Sequence, residues 1–179
     1  MISPKLKNIL DAMFSNDGTT FEDHLNCIFL QRSNLWNKKI EMVIGKSYQP
    51  RLTADKIFTL KKYGTDYFIR EVAHGRLNRA EGFYFFIIPI NSPYEILCGE
   101  LISGTEGRRQ NIEGHTSLTG ESQVYFAGMM KFTQGKLIFW NNGSGHFMPK
   151  PEQRYYFLPH IQLLLPEYLF CPHILHTTF

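Results

Sequence analysis

Two histidine-centred clusters carry the side chains best suited to chemistry in this chain. The first is Gly114-His115-Thr116-Ser117, and the second is Asn141-Asn142-Gly143-Ser144-Gly145-His146-Phe147. A neutral imidazole accepts or donates a proton near neutral pH, which suits acid–base work. A serine hydroxyl two residues from His115 can orient a reactant or act as a nucleophile. Asparagine and glycine amides can steady a developing negative charge. His115, Ser117 and His146 are therefore the candidate catalytic residues. Asn142, Gly143, Ser144 and Gly145 are candidate substrate contacts. The loop SGTEGRRQNIEG, which runs directly into His115, adds Arg108 and Arg109 as holders of a phosphate or carboxylate.

Between the clusters the chain reads as a β-hairpin. Val124, Phe126, Gly128, Met130 and Phe132 alternate with Tyr125, Ala127, Met129 and Lys131, the period of two expected of a strand. Thr133-Gln134-Gly135 is a short loop with Gly135 suited to positive φ, and Lys136 to Trp140 is the returning strand. Both faces are largely apolar, which predicts a central hairpin rather than an edge. An antiparallel hairpin brings the residues before its first strand close to those after its second. His115 and His146 are thus expected to converge at one end of a sheet. The structural alternative is that Asn-Asn-Gly-Ser-Gly is turn chemistry and that Ser144 and His146 lock the exit loop to the sheet.

Several of these residues form a recognisable set: His115-Thr116-Ser117-Leu118, Ala127-Gly128, Gly135-Lys136-Leu137, and Asn142 through Ser144-Gly145-His146-Phe147 to Pro149. The set resembles an "HSS…AG…G-x-I…SGHY-x-P" pattern. That pattern is found in a domain of plant IQ-motif (IQM) proteins and in related bacterial and fungal proteins, some of them toxin- or effector-like. Phe147 stands where the pattern has Tyr, and Thr116 where Ser is common. The resemblance covers residues 114–149 and implies a shared site. It implies no calmodulin binding, because Ile161-Gln162 is followed by leucines without basic partners.

The remainder predicts an α+β fold: a central, mostly antiparallel sheet with N-terminal helices and short C-terminal helices packed on it. The 179 residues fit a single domain, with a helical part over 1–33, a β-rich core over 65–149 and a C-terminal helical part and tail over 150–179. Residues 4–15, and a segment from Thr20 to about Ser33, carry helical apolar stripes. Ile40 to Ile44 reads as a short strand, and Thr53 to Lys62 as a short helix capped by Thr53. Thr65 to Val72, Gly82 to Ile90 and Glu95 to Ile102 read as strands. Pro159 breaks the C-terminal segment, His160 to Leu165 reads as a short helix, and Pro166 closes it.

Composition excludes several classes. A net charge of +3 with no long basic run gives no strong nucleic-acid signal. Gly45-Lys46-Ser47 is not a phosphate loop, because Glu41 occupies the required glycine position. Cys27, Cys98 and Cys171 lack zinc-ribbon spacing and read as reduced thiols. His173 and His176 sit beside Pro172 on too short a tail to argue for metal, so no metal site is assigned and no cofactor is indicated. No stretch approaches a membrane span. These features predict a cytoplasmic protein, or one delivered into another cell without a cleaved signal peptide. The function expected is an effector- or toxin-like enzyme, a transferase or hydrolase acting on an anionic or nucleotide-containing substrate. A Ser-His-Asp hydrolase fits less well, since neither Ser117 nor Ser144 sits in a Gly-x-Ser-x-Gly elbow. An ADP-ribosyl donor lacks a Glu-x-Glu pair to accompany it. The alternative is a binding module that uses the same glycine-rich sheet end, with an unidentified small-molecule or macromolecular ligand.

Overall fold

The computed structural model describes residues 38–101 and 114–173. The chain divides into two compact units, Met1–Asn37 and Lys38–Phe179, and all described residues belong to the second. The two expected N-terminal helices, Arg108 and Arg109, Cys27 and His176 lie outside the described residues.

Eight strands form one antiparallel sheet: β1 Ile40–Glu41, β2 Phe58–Tyr63, β3 Asp66–Glu71, β4 Leu77–Arg79, β5 Gly82–Pro89, β6 Leu97–Glu100, β7 Gln123–Thr133 and β8 Lys136–Trp140. The order is β1-β7-β5-β6-β2-β3-β4, and β8 also pairs with β7. Helix α1 spans His115–Thr119 and α2 spans Pro159–Leu164, with 3₁₀ turns at Ala54–Lys56, Pro151–Tyr156 and Glu167–Leu169. The architecture is α+β, as the apolar periodicities require.

The hairpin forms as its alternation dictates, but only its first strand is central: among the described strands β8 pairs with β7 alone and leaves Ile138 exposed, which corrects the expectation that the whole hairpin lies inside the sheet. β7 pairs with β5 along nearly its whole length, from Gly82↔Phe132 to Pro89↔Val124. Residues of both its faces are buried, among them Val124, Tyr125, Phe126, Ala127, Met130 and Phe132. The turn is tighter than the three-residue loop expected. Thr133 pairs with Lys136, leaving Gln134 and Gly135 as a two-residue turn, both at positive φ. A two-residue turn of that twist matches the twist of the flanking strands. The register then skips Ile138, so Lys131 faces Phe139 while Phe132 faces Leu137.

The helix expected over Thr53 to Lys62 is corrected. Only Ala54–Lys56 makes a 3₁₀ turn, and Phe58 to Tyr63 is β2. Ile57 and Leu60 fit a helical stripe, but Phe-Thr-Leu-Lys-Lys-Tyr also fits a strand. Pairing decides between them. Tyr63 meets Asp66 across a two-residue turn with Gly64 at φ +59, and all six residues of β2 then pair with β3. Tertiary pairing outweighs weak local propensity here. β1 is shorter than expected at two residues, and β4 was not foreseen because its three residues are all exposed.

The core is aromatic. Phe86, Phe126, Phe132 and Trp140 are fully buried. Phe86 stacks on Phe126, which meets Phe157 edge-on at 4.9 Å between centroids. Phe157, Ile161, Leu164 and Leu165 of the C-terminal segment are buried as well. Burying one such side chain contributes roughly 2–3 kcal/mol. Pro159 opens α2 and the segment closes at Pro166, as the prolines predict. Trp140 Nε1 donates to the Pro166 carbonyl at 2.8 Å, and the Cys171 amide donates to the Trp140 carbonyl at 2.8 Å. Arg154 pairs with Glu167 through Nε and Nη2 and stacks on Tyr155 and Phe170. Of the described cysteines, Cys98 is a buried free thiol whose pKa burial raises, and Cys171 is free and exposed.

Candidate functional site: the two histidine clusters

His115 does not sit in an open loop. It is the first residue of α1, which packs against β5 and β6. His115, Thr116, Ser117 and Leu118 are all buried. The ring lies edge-on to Phe85 at 5.8 Å, and Nε2 donates to the Gly128 carbonyl of β7 at 3.0 Å. Its acceptor is a carbonyl, so Nε2 carries the proton and Nδ1 keeps a lone pair. Burial pushes the pKa of His115 down to about 4, and positive charge on His146 pushes the same way. The Gly128 bond opposes them. His115 is therefore a neutral imidazole at physiological pH.

His146 is only half-buried. Its backbone carbonyl accepts from Val43 N–H at 2.7 Å, and its Nε2 donates to the Ser47 carbonyl at 3.1 Å. The segment after β1 thus holds this residue by both main chain and ring, again leaving Nδ1 as an acceptor. A charge on His146 acts on His115. The two rings, at either end of a 32-residue stretch, thus differ in setting: His115 is sealed and His146 is partly open to solvent.

The other predicted residues divide sharply. Ser117 is fully buried, and its Oγ accepts from the Gly114 amide at 3.1 Å while its carbonyl accepts from Leu52 N–H. The hydroxyl closes the first turn of α1 rather than facing solvent. Asn142 is also buried. Its Nδ2 donates to the Pro149 carbonyl at 2.8 Å and its Oδ1 accepts from His173 N–H at 2.7 Å, so it clamps the C-terminal segment to the exit of β8. The Gly143 amide donates to Asn141 Oδ1 at 2.9 Å. Ser144 Oγ accepts from Phe147 N–H at 3.3 Å. Asn142 and the Gly143 amide are thus engaged in structural bonds and not poised for a developing charge. Gly145 remains exposed, with open space where a Cβ would stand.

Further residues position the clusters, and one of them, Gln49, carried no sequence signal. Gln49 accepts from Thr116 through Oε1, and its backbone N–H donates to Thr116 Oγ1. A side chain at position 114 would strike the same carboxamide. Asn141 Oδ1 bridges the amides of Met129 and Gly143. Gly128 is required by close approach, since a Cβ there would overlap the Asn141 carbonyl oxygen. Phe147 is buried where the resembling pattern carries Tyr. Among the described residues, no group of three or more His, Cys, Asp or Glu side chains is placed to hold a metal, and no helix is long and apolar enough to cross a membrane.

Comparisons with protein-family models, with curated proteins and with solved structures return no significant match.

Proposed function

We propose that the paired histidines form the acid–base centre of an effector- or toxin-like enzymatic domain, one that performs group transfer or hydrolysis on an anionic or nucleotide-containing substrate. The observation that carries this reading is the contrast between the two rings. His146 is open to solvent, with Nε2 fixed on the Ser47 carbonyl and Nδ1 free to take a proton. His115 is held neutral by its burial, and a charge on His146 acts on it. In this reading His146 is the general base or acid, and His115 sets the field around it without titrating. Gly145 is the backbone group left free to face a ligand. Arg108 and Arg109 supply the anion contacts that the sequence suggests.

A second reading is a non-catalytic binding module. It is favoured by the hydroxyl and amide groups of Thr116, Ser117, Asn142, Gly143 and Ser144, all of which are bonded within the protein. His146→Gln separates the two readings, because it keeps a hydrogen-bonding side chain but cannot titrate. The full chain would be incubated with a panel of nucleotides and followed by ³¹P NMR, with circular dichroism as the control for folding. The enzymatic reading expects turnover of at least one substrate to fall about 100-fold or more in the variant. Undiminished turnover in folded His146→Gln rejects it. Binding without turnover, equal in both proteins, favours the module.

A further inference from the structure

A concave site lies on the sheet, lined by other residues than the histidine pair. It is a groove of about 510 Å³ lined by Thr59 and Lys61 of β2, Arg70 of β3, Leu97 of β6, Glu95 and the turn from Glu71 to Gly75. None of these residues belongs to the histidine clusters. Its size falls within the roughly 300–1,000 Å³ of small-molecule sites.

Register explains why its cations converge. Thr59 pairs with Arg70 on one side and with Leu97 on the other, so these three side chains stand abreast on one face of the sheet. Lys61 lies two residues along β2 from Thr59 and so points to the same face. Among the described residues, neither Lys61 nor Arg70 has a hydrogen-bond or ion-pair partner.

The adjoining turn both places Arg70 and removes its nearest competitor. Gly75 sits at φ +69, and a Cβ there would press on Arg70 Nη2 at 3.3 Å, so this glycine leaves the guanidinium its space. Glu71 follows Arg70 directly in the chain, yet its carboxylate does not reach back to it. Oε1 accepts from His74 Nδ1 and Oε2 from Arg76 Nε, each at 2.6 Å, and the side chain is 3% exposed. His74 Nδ1 carries the proton in that contact, which leaves Nε2 as its other polar atom at the groove. Glu95 is the carboxylate remaining at the rim, and it accepts from Ser92 Oγ at 3.0 Å.

We infer that this groove binds a phosphate-bearing small molecule. Arg70 would grip the phosphate through its planar fork and Lys61 would serve as a point charge. The Thr59 hydroxyl and His74 Nε2 would contribute hydrogen bonds. A guanidinium matches two phosphate oxygens at once, which an unpaired lysine cannot do. The groove's volume of about 510 Å³ leaves room for the organic part of a mononucleotide or sugar phosphate.

The test is titration of the ¹⁵N-labelled full chain with inorganic phosphate and, separately, with a mononucleotide, at ionic strength held constant with chloride. Saturable amide shifts are expected around Thr59, Arg70 and Gly75. Arg70→Gln and Lys61→Gln should each weaken binding about 10-fold or more. Lys131→Gln removes the same charge from a different part of the sheet and should change nothing. Tighter binding of the mononucleotide than of inorganic phosphate identifies a phosphate ester as the occupant; equal binding identifies the free anion. Absence of saturable shifts with both probes overturns the inference. So does an equal loss in Lys131→Gln, which would mark a general charge effect. Neither result bears on His146, because nucleotide turnover is read on different residues.

Discussion

His115 should make the fold acid-sensitive, and the size of the effect follows from its burial. The ring is 8% exposed and titrates near 4 rather than at 6.5. The unfolded chain therefore binds a proton between those values that the folded chain refuses. For a group whose folded pKa is depressed in this way, neutral pH is where the stability is intact, and it is lost as pH falls from about 6.5 toward 4. Going from pH 7 to pH 5 should cost about 2 kcal/mol through this one ring, approaching about 3 kcal/mol below pH 4. Other groups respond to acid too. Asp55, Asp66 and Glu71 are all depressed by hydrogen bonds or ion pairs and also lose stability at low pH. A comparison with His115→Gln cancels them, because Gln can still donate to the Gly128 carbonyl but never titrates. Urea unfolding of both proteins at pH 7 and pH 5 gives the answer as a difference of differences. Wild type should lose about 2 kcal/mol more than the variant over that interval. Equal losses would mean that the ring takes up its proton in the folded state, and the buried neutral imidazole would have to be abandoned.

Two further outcomes test how the clusters are built. Gly128→Ala drives a Cβ into the Asn141 carbonyl, a backbone atom with no freedom to withdraw; a loss of about 3 kcal/mol or more is expected in chemical denaturation, and a variant as stable as wild type refutes the close crossing. Asn142→Ala leaves the Pro149 carbonyl and the His173 amide without their partner, so about 2 kcal/mol should be lost, together with the ordering of the segment around His173. Unchanged stability and unchanged amide exchange there would make Asn142 a candidate ligand contact once more.

The helical stripes and alternations show which parts of this chain local pattern can decide. Val124 to Phe132 could only be a strand with two apolar faces, and Pro159 and Pro166 could only bound a short helix, because backbone sterics act within a few residues. Hairpin closure was equally local, which is why the pairing of β7 with β8 was foreseeable from a strand, a turn and a second strand. Phe58 to Tyr63 had no such certainty, since six residues with Leu60 and two lysines satisfy either period until β3 pairs with them.

The chemical character of each site residue belonged to the tertiary level entirely. Ser117 and Asn142 look in sequence like reactive or ligand-holding groups. Their availability depends on Gly114, Pro149 and His173 meeting them in space. The same holds for Arg70, which has no ion-pair partner among the described residues because Glu71 turns to His74 and Arg76 around Gly75. A residue's type specifies what it is able to donate, accept or titrate. Which partners desolvate or satisfy it is set by packing between segments far apart in the chain, and no local period encodes that.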